Sequence, residues 1–155
     1  MDSIIWLARY EGYFKMLCQG IRNGDEQCIK QSAKFFDAML PQDSVIVPMP
    51  GHNGKATTML QVAEEIVKLR PDIEILDVLR CVPHESNYSQ KKDYGFIPKP
   101  ITMVCDDFVW RLPDPDGKPR QKFIIDNVVV TGVTAQAAMN ALCWPVLCLC
   151  KDMWR

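Results

Sequence analysis

The amino-acid sequence predicts an α/β fold, a single domain built on a parallel sheet. Three observations point there. Short apolar runs, "DSVIVPM", "IEILDVL", "KFIIDNVVV" and "PVLCLC", punctuate the chain after its first quarter. Stretches with helical periodicity lie between them, and strands that alternate with helices return by crossovers that make neighbouring strands parallel. A length of 155 residues, 48% apolar and 24% charged, suits one domain able to bury a core.

Taken in order, Trp6, Tyr10, Phe14 and Leu17 recur at helical spacing, and Ile29, Ala33, Phe36 and Leu40 do so after the break "RNGD". Residues 1–41 therefore read as a helical amino-terminal extension of two amphipathic helices, with the aromatic stripe as a packing face. After Pro41, "DSVIVPM" is the first strand. "KATTMLQVAEEIVKLR" then forms a helix with Leu60, Ala63, Ile66 and Val67 on one face, ended by Pro71. "IEILDVL" and "KFIIDNVVV" are the second and third strands, "TAQAAMNALC" a helix and "PVLCLC" the last strand. Two polar stretches interrupt this rhythm. "RCVPHESNYSQKKDYGFIPKP" is too long for an ordinary connection and reads as a flexible lid or a disordered segment. "LPDPDGKPR" is a turn-rich hairpin tip or surface loop.

Composition narrows the function. Eighteen basic and 19 acidic residues give a net charge of −1, which argues against nucleic acid or an anionic membrane as a partner, so any phosphate binding is local. Seven cysteines without C-x-x-C spacing read as reduced, buried thiols rather than a disulfide framework or zinc site. "MDSIIWLARY" lacks the features of a signal peptide and no apolar run is long enough to span a bilayer, which predicts a cytoplasmic protein.

Two stretches carry candidate chemistry. "VPMPGHNGKATT" has the glycines and lysine of a phosphate loop, but Met49 stands where a P-loop needs its first glycine and Ala56 where it needs a hydroxyl, so that reading is dropped. "KFIIDNVVVTGVTAQAA" joins a buried strand, an acid near its carboxyl end, a small-residue turn and a helix. Ligands of open α/β sheets collect at the carboxyl ends of strands, and a helix amino terminus is a ready anion site. That geometry expects a phosphate on Thr131 to Thr134 and a sugar hydroxyl on Asp126.

"FIIDNVVVTGVT" resembles the phosphoribosyl diphosphate (PRPP) motif of type I phosphoribosyltransferases, a family of glycosyltransferases of nucleotide metabolism. The order of the remaining motifs is similar to the competence-associated amidophosphoribosyltransferase-like branch, without its zinc module. The resemblance covers roughly residues 43–150 as a PRPP-binding core within one phosphoribosyltransferase-like domain. It implies a magnesium-dependent transfer of phosphoribose to a nitrogen acceptor, with release of diphosphate. It places the 5′-phosphate on Thr131, Gly132, Val133 and Thr134, the ribose on Asp126 and Asn127, and the diphosphate on Pro50, Gly51, His52, Asn53, Gly54, Lys55 and Arg80. Asp126 and Arg80 are the expected catalytic residues. Mg2+ is the implied cofactor, with no direct protein ligand, Asp126 reaching it through water.

Departures from the pattern matter equally. Asn127 replaces the second acid of the usual pair and Val130 a commoner threonine, and Asn127 opens the alternative of a non-catalytic PRPP- or nucleotide-sensing protein. A different α/β phosphohydrolase has no nucleophile motif to support it. Lys91 and Lys92 either close over the diphosphate or are a solvated pair, and His52 and His84 either transfer protons, bind phosphate or face solvent. Asp106-Asp107, Glu64-Glu65, Asp114 and Asp116 read as surface acids. Trp6, Tyr10 and Trp154 fit either core packing or self-association as a homodimer.

Overall fold

A computed structural model describes residues 3–51, 53–83, 102–105, 117 and 119–152. The chain opens with strand β1 (Ile4–Arg9), followed by helices α1 (Gly12–Arg22) and α2 (Glu26–Met39). Strand β2 (Val45–Pro48), helix α3 (Thr57–Leu69) and the short strands β3 (Glu74–Ile75), β4 (Leu79–Cys81) and β5 (Met103–Cys105) come next. Strand β6 (Lys122–Val129), helix α4 (Val133–Leu142) and strand β7 (Val146–Lys151) complete the described elements.

Five strands form one sheet in the order β1-β7-β6-β2-β3, every neighbouring pair parallel, so the expected α/β class is present. β6 and β7 lie inside it, and their Ile124, Ile125, Leu147, Cys148, Leu149 and Cys150 are buried almost completely, the near-continuous apolar run required of a strand covered on both faces. β4 and β5 leave the sheet and pair antiparallel with each other. The run "IEILDVL" is therefore divided: Glu74–Ile75 joins the sheet beside β2, and Leu79 begins the separate ladder.

The amino terminus departs from the expectation. Trp6 does not lie on a helix, because Ile4–Arg9 is an edge strand whose Ile4 to Arg9 run alongside Val146 to Lys151. Tyr10 follows the strand, is buried, and donates its N–H to the Lys151 carbonyl at 3.1 Å. Gly12, at φ +57°, redirects the chain, and the helix that follows buries Leu17, Cys18 and Ile21. The four-residue spacing of Trp6, Tyr10 and Phe14 thus spans a strand, a turn and a helix. "IIWLA" is rich in β-forming residues, and pairing with β7 decides its state.

α2 forms as expected: Asp25 caps it by accepting the Cys28 N–H at 3.0 Å, and Ile29, Ala33 and Phe36 are buried. α3 runs to Leu69 and buries Val62, Ala63 and Ile66. Cys18, Cys81, Cys148 and Cys150 are buried, Cys28 and Cys105 half-buried and Cys143 exposed, all as thiols outside any disulfide. Among the described residues no helix is long and apolar enough to cross a membrane.

Two arginines fasten the segments that enter the sheet. Arg120 donates to the carbonyls of Asp43 (2.7 Å), Ser44 (3.2 Å) and Asp72 (3.3 Å) and pairs with Glu74 at 2.6 Å. Arg70 binds the carbonyls of Asp37, Leu40 and Pro41 and pairs with Asp72 at 2.9 Å, which holds the Asp72 carboxyl well below the usual carboxylate range.

Candidate functional site

β2 and β6 are the strands that position the site. They pair from Val45 opposite Lys122 to Pro48 opposite Ile125, and the Met49 N–H extends the ladder to the Ile125 carbonyl at 2.9 Å. From β2 the chain passes through α3 to β3 at one edge of the sheet, whereas from β6 it passes through α4 to β7 in the opposite direction. Right-handed crossovers in opposite directions put α3 and α4 on opposite faces. The carboxyl ends of β2 and β6 consequently diverge, and this reversal point is where open α/β sheets form their ligand crevice. Both loops singled out in the sequence, residues 50–55 and 131–134, leave the sheet at this point.

The first loop folds on itself. Gly51 N–H donates to the Lys55 carbonyl at 2.8 Å, Gly54 N–H to the Gly51 carbonyl at 2.9 Å, and Lys55 N–H to Asn53 Oδ1 at 3.1 Å. Those three amides are spent inside the loop, so the expectation that its glycines admit a phosphate to the backbone changes meaning. Gly54 has φ +94°, and a Cβ there would fall 2.6 Å from the Cys81 carbonyl oxygen, so the glycine accommodates β4. Cys81 completes the tie, its N–H donating to the Gly54 carbonyl at 3.3 Å and its thiol to the Gly51 carbonyl at 3.2 Å. Pro50 is buried, while Gly51, Asn53 and Lys55 are exposed.

This fastening brings Lys55 to Arg80. They share a cleft of about 500 Å3 whose walls also include Thr57, Gln61, Glu64 and Asp77. Arg80 Nη1 donates to Asp77 Oδ1 at 2.8 Å and to the Leu79 carbonyl at 2.9 Å. α3 begins at the rim of this cleft with Ala56 at its N-cap, no side-chain cap and no acid in its first turn. Its leading amides are thereby left to water or to an anion. Glu64 is exposed, as expected of a surface acid, and lines the cleft, and Glu65 pairs with Lys68 at 2.8 Å.

The second loop follows β6. Asp126 and Asn127 are consecutive strand residues, so their side chains leave opposite faces of the sheet. Asp126 stands beside Cys148 in the register and accepts the Asn127 N–H at 2.8 Å, and Asn127 Oδ1 accepts the Val128 N–H at 2.8 Å. Burial pushes the Asp126 carboxyl up to about 7, against the Asn127 N–H and the Arg22 charge, which favour its ionised form. On the same side of the sheet Cys18 of α1 lies 3.4 Å from Cys150, sulfur to sulfur.

At the turn, Gly132 takes φ +84° and Thr131 Oγ1 accepts the Val133 N–H at 3.3 Å. α4 starts here without a side-chain cap on its N-terminal residue and without an acid in its first turn, in contrast to α2 with Asp25. Thr131, Gly132, Val133 and Thr134 are half-buried. Each of the two helices that open at the reversal point thus begins without a capping side chain on its N-cap residue, and in α4 the Val133 N–H alone is taken up, by Thr131 Oγ1.

His52, His84, Lys91, Lys92, Asp106, Asp107, Asp114, Asp116 and Trp154 lie outside the described residues. Sequence reasoning passed over Asp77 and Cys81. Asp77 carried a legible signal, an acid three residues before a candidate phosphate arginine, whereas the Cys81 contacts join segments that only folding brings together. Among the described residues no three His, Cys, Asp or Glu side chains converge as a metal site. The chain matches no family model and no curated protein sequence.

Proposed function

We propose that the protein is a phosphoribosyltransferase that binds PRPP across the reversal point between β2 and β6 and transfers phosphoribose to a nitrogen acceptor. The observation that carries the reading is that two helices without an N-cap side-chain bond follow the carboxyl ends of the adjacent strands β2 and β6, with Lys55 and Arg80 sharing a cleft beside the first. A ligand with a phosphate at one end and a diphosphate at the other suits such a pair of anion sites.

In this reading the first turn of α4, with Thr131 and Thr134, holds the 5′-phosphate, and Asp126 meets the ribose hydroxyls, with Asn127 on the opposite face of the strand. Lys55, Arg80 and the start of α3 take the diphosphate. The acceptor nitrogen attacks C1 as the bond from C1 to the diphosphate oxygen breaks, diphosphate departs with the bonding pair, and the proton lost by the nitrogen passes to solvent. The protein's work is to hold the reacting atoms in line and to neutralise the leaving group. Magnesium fits as an ion carried by the donor's own phosphate oxygens, since that ion keeps several waters and needs only one or two carboxylates. Asp126 is the residue that would reach it through water, supplying negative charge near the ring once ionised.

A second reading, a PRPP- or nucleotide-sensing protein on the same fold, is favoured by one specific observation. Asn127 supplies no charge, and Asp126 alone, raised to about 7, is only partly ionised at neutral pH. Calorimetric titration with PRPP, with and without magnesium, followed by diphosphate release against purine, pyrimidine and amine acceptors, separates the two. Magnesium-dependent binding with release for one acceptor supports the enzyme, and binding without release for any of them supports the sensor. Unchanged PRPP binding by Asp126→Ala would remove the site assignment common to both.

A further inference from the structure

We infer that Asp77 is a positioning residue that presents Arg80 to the diphosphate of the ligand. The inference rests on the phosphoribosyl reading of the cleft and names a residue that reading does not contain. Arg80 Nη1 makes two hydrogen bonds, to Asp77 Oδ1 at 2.8 Å and to the Leu79 carbonyl at 2.9 Å, which occupy both of its hydrogens. Among the described residues Nε and Nη2 have no partner. The guanidinium is therefore anchored by one corner, and the edge formed by Nε and Nη2 remains for a ligand. That edge is the fork that matches two oxygens of one phosphoryl group, whereas the anchored corner serves only to aim it.

Anchoring matters because a free arginine side chain samples many rotamers, and part of that freedom is lost when it grips a ligand. Asp77 removes that cost before binding. Its side chain and that of Arg80 are 34% and 36% exposed, and an ion pair so exposed adds little to folding stability. Variants at residue 77 accordingly fold normally, and their effect on binding is read without interference. Lys55 lines the same cleft, its side chain has no ion-pair partner among the described residues, and it acts as a mobile point charge on the second phosphoryl group.

The test uses inorganic diphosphate with magnesium as the titrant and thermal unfolding as a parallel readout. Arg80→Ala is expected to bind at least about 30-fold more weakly than wild type, the loss of a charge-assisted bidentate contact. Asp77→Ala is expected to bind about 10-fold more weakly at an unchanged melting temperature. Asp77→Asn keeps an acceptor oxygen for Nη1 and is expected to return to within about 3-fold of wild type. Asp77→Ala binding as tightly as wild type, or more tightly, while Arg80→Ala fails to bind, overturns the positioning role and leaves the diphosphate site standing. Failure of Asp77→Asn to recover binding overturns it too, since the charge and not the anchor would then matter. Wild-type affinity in Arg80→Ala, or no diphosphate binding by the wild type, removes the site reading itself.

Discussion

Replacing Asp126 by asparagine tests whether the carboxylate in β6 is held in the low-polarity setting that the fold imposes on it. Its folded value, raised to about 7, stands about three units above the ordinary 3.8. At about 1.36 kcal/mol per unit the ionised carboxylate costs the fold at most about 4 kcal/mol, and about 2 kcal/mol is the working figure for a group that retains some solvent contact. The sign follows from the direction of the shift. Because the folded state binds the proton more tightly than the unfolded chain, the group costs nothing below pH 4, and stability falls as pH rises through 7. Asparagine does not titrate, and its side-chain oxygen still accepts the Asn127 N–H. Urea unfolding from pH 4 to 8.5 should therefore show Asp126→Asn gaining on wild type by about 2–4 kcal/mol as pH rises to 7, with the gain levelling off above 7. A difference independent of pH would show that the carboxyl titrates normally and refute the account of its burial. If the ionised form meets the ribose, PRPP binding near pH 6.5 should also release a proton, read as a dependence of the calorimetric heat on buffer ionisation enthalpy.

Three further outcomes are expected. Gly54→Ala places a methyl group against the Cys81 carbonyl at a left-handed backbone position, and should lower stability by about 2–4 kcal/mol, visible as a fall in melting temperature. Arg120→Ala frees three carbonyls and Glu74 together and should cost about 2–3 kcal/mol in urea unfolding, whereas Arg120→Lys should recover only part of it. Leu7→Lys adds a charge to the edge strand β1, where Ile5, Trp6 and Leu7 remain exposed; if this edge mediates self-association, light scattering should show wild-type dimers and variant monomers.

Much of the frame was legible in the sequence wherever a local pattern sufficed. The alternation of apolar runs and helices predicted parallel pairing, the break "RNGD" marked the start of α2, and the strand, turn and helix around Thr131 lie where the motif put them. These features depend on residues within one or two turns of each other, so the chain states them directly. The candidate loops were equally legible, but their relation was not. Only the pairing of β2 with β6 sets residues 50–55 and 131–134 at one reversal point.

Tertiary structure decided the rest, because long-range contacts outweigh local preference. β7 drew Ile4–Arg9 into the sheet despite a helical spacing, and β5 drew Leu79–Cys81 out of it despite a continuous apolar run. Gly54, read as a ligand glycine, also makes room for the Cys81 carbonyl, a contact 27 residues along the chain that no local pattern names. The raised Asp126 carboxyl likewise belongs to no motif. By itself the sequence determined the strands and helices whose pattern is local and the places where two small-residue loops leave the sheet; the fold determined the state of the amino terminus, which residues meet and what solvates them, since solvation and contact are properties of assembled surfaces.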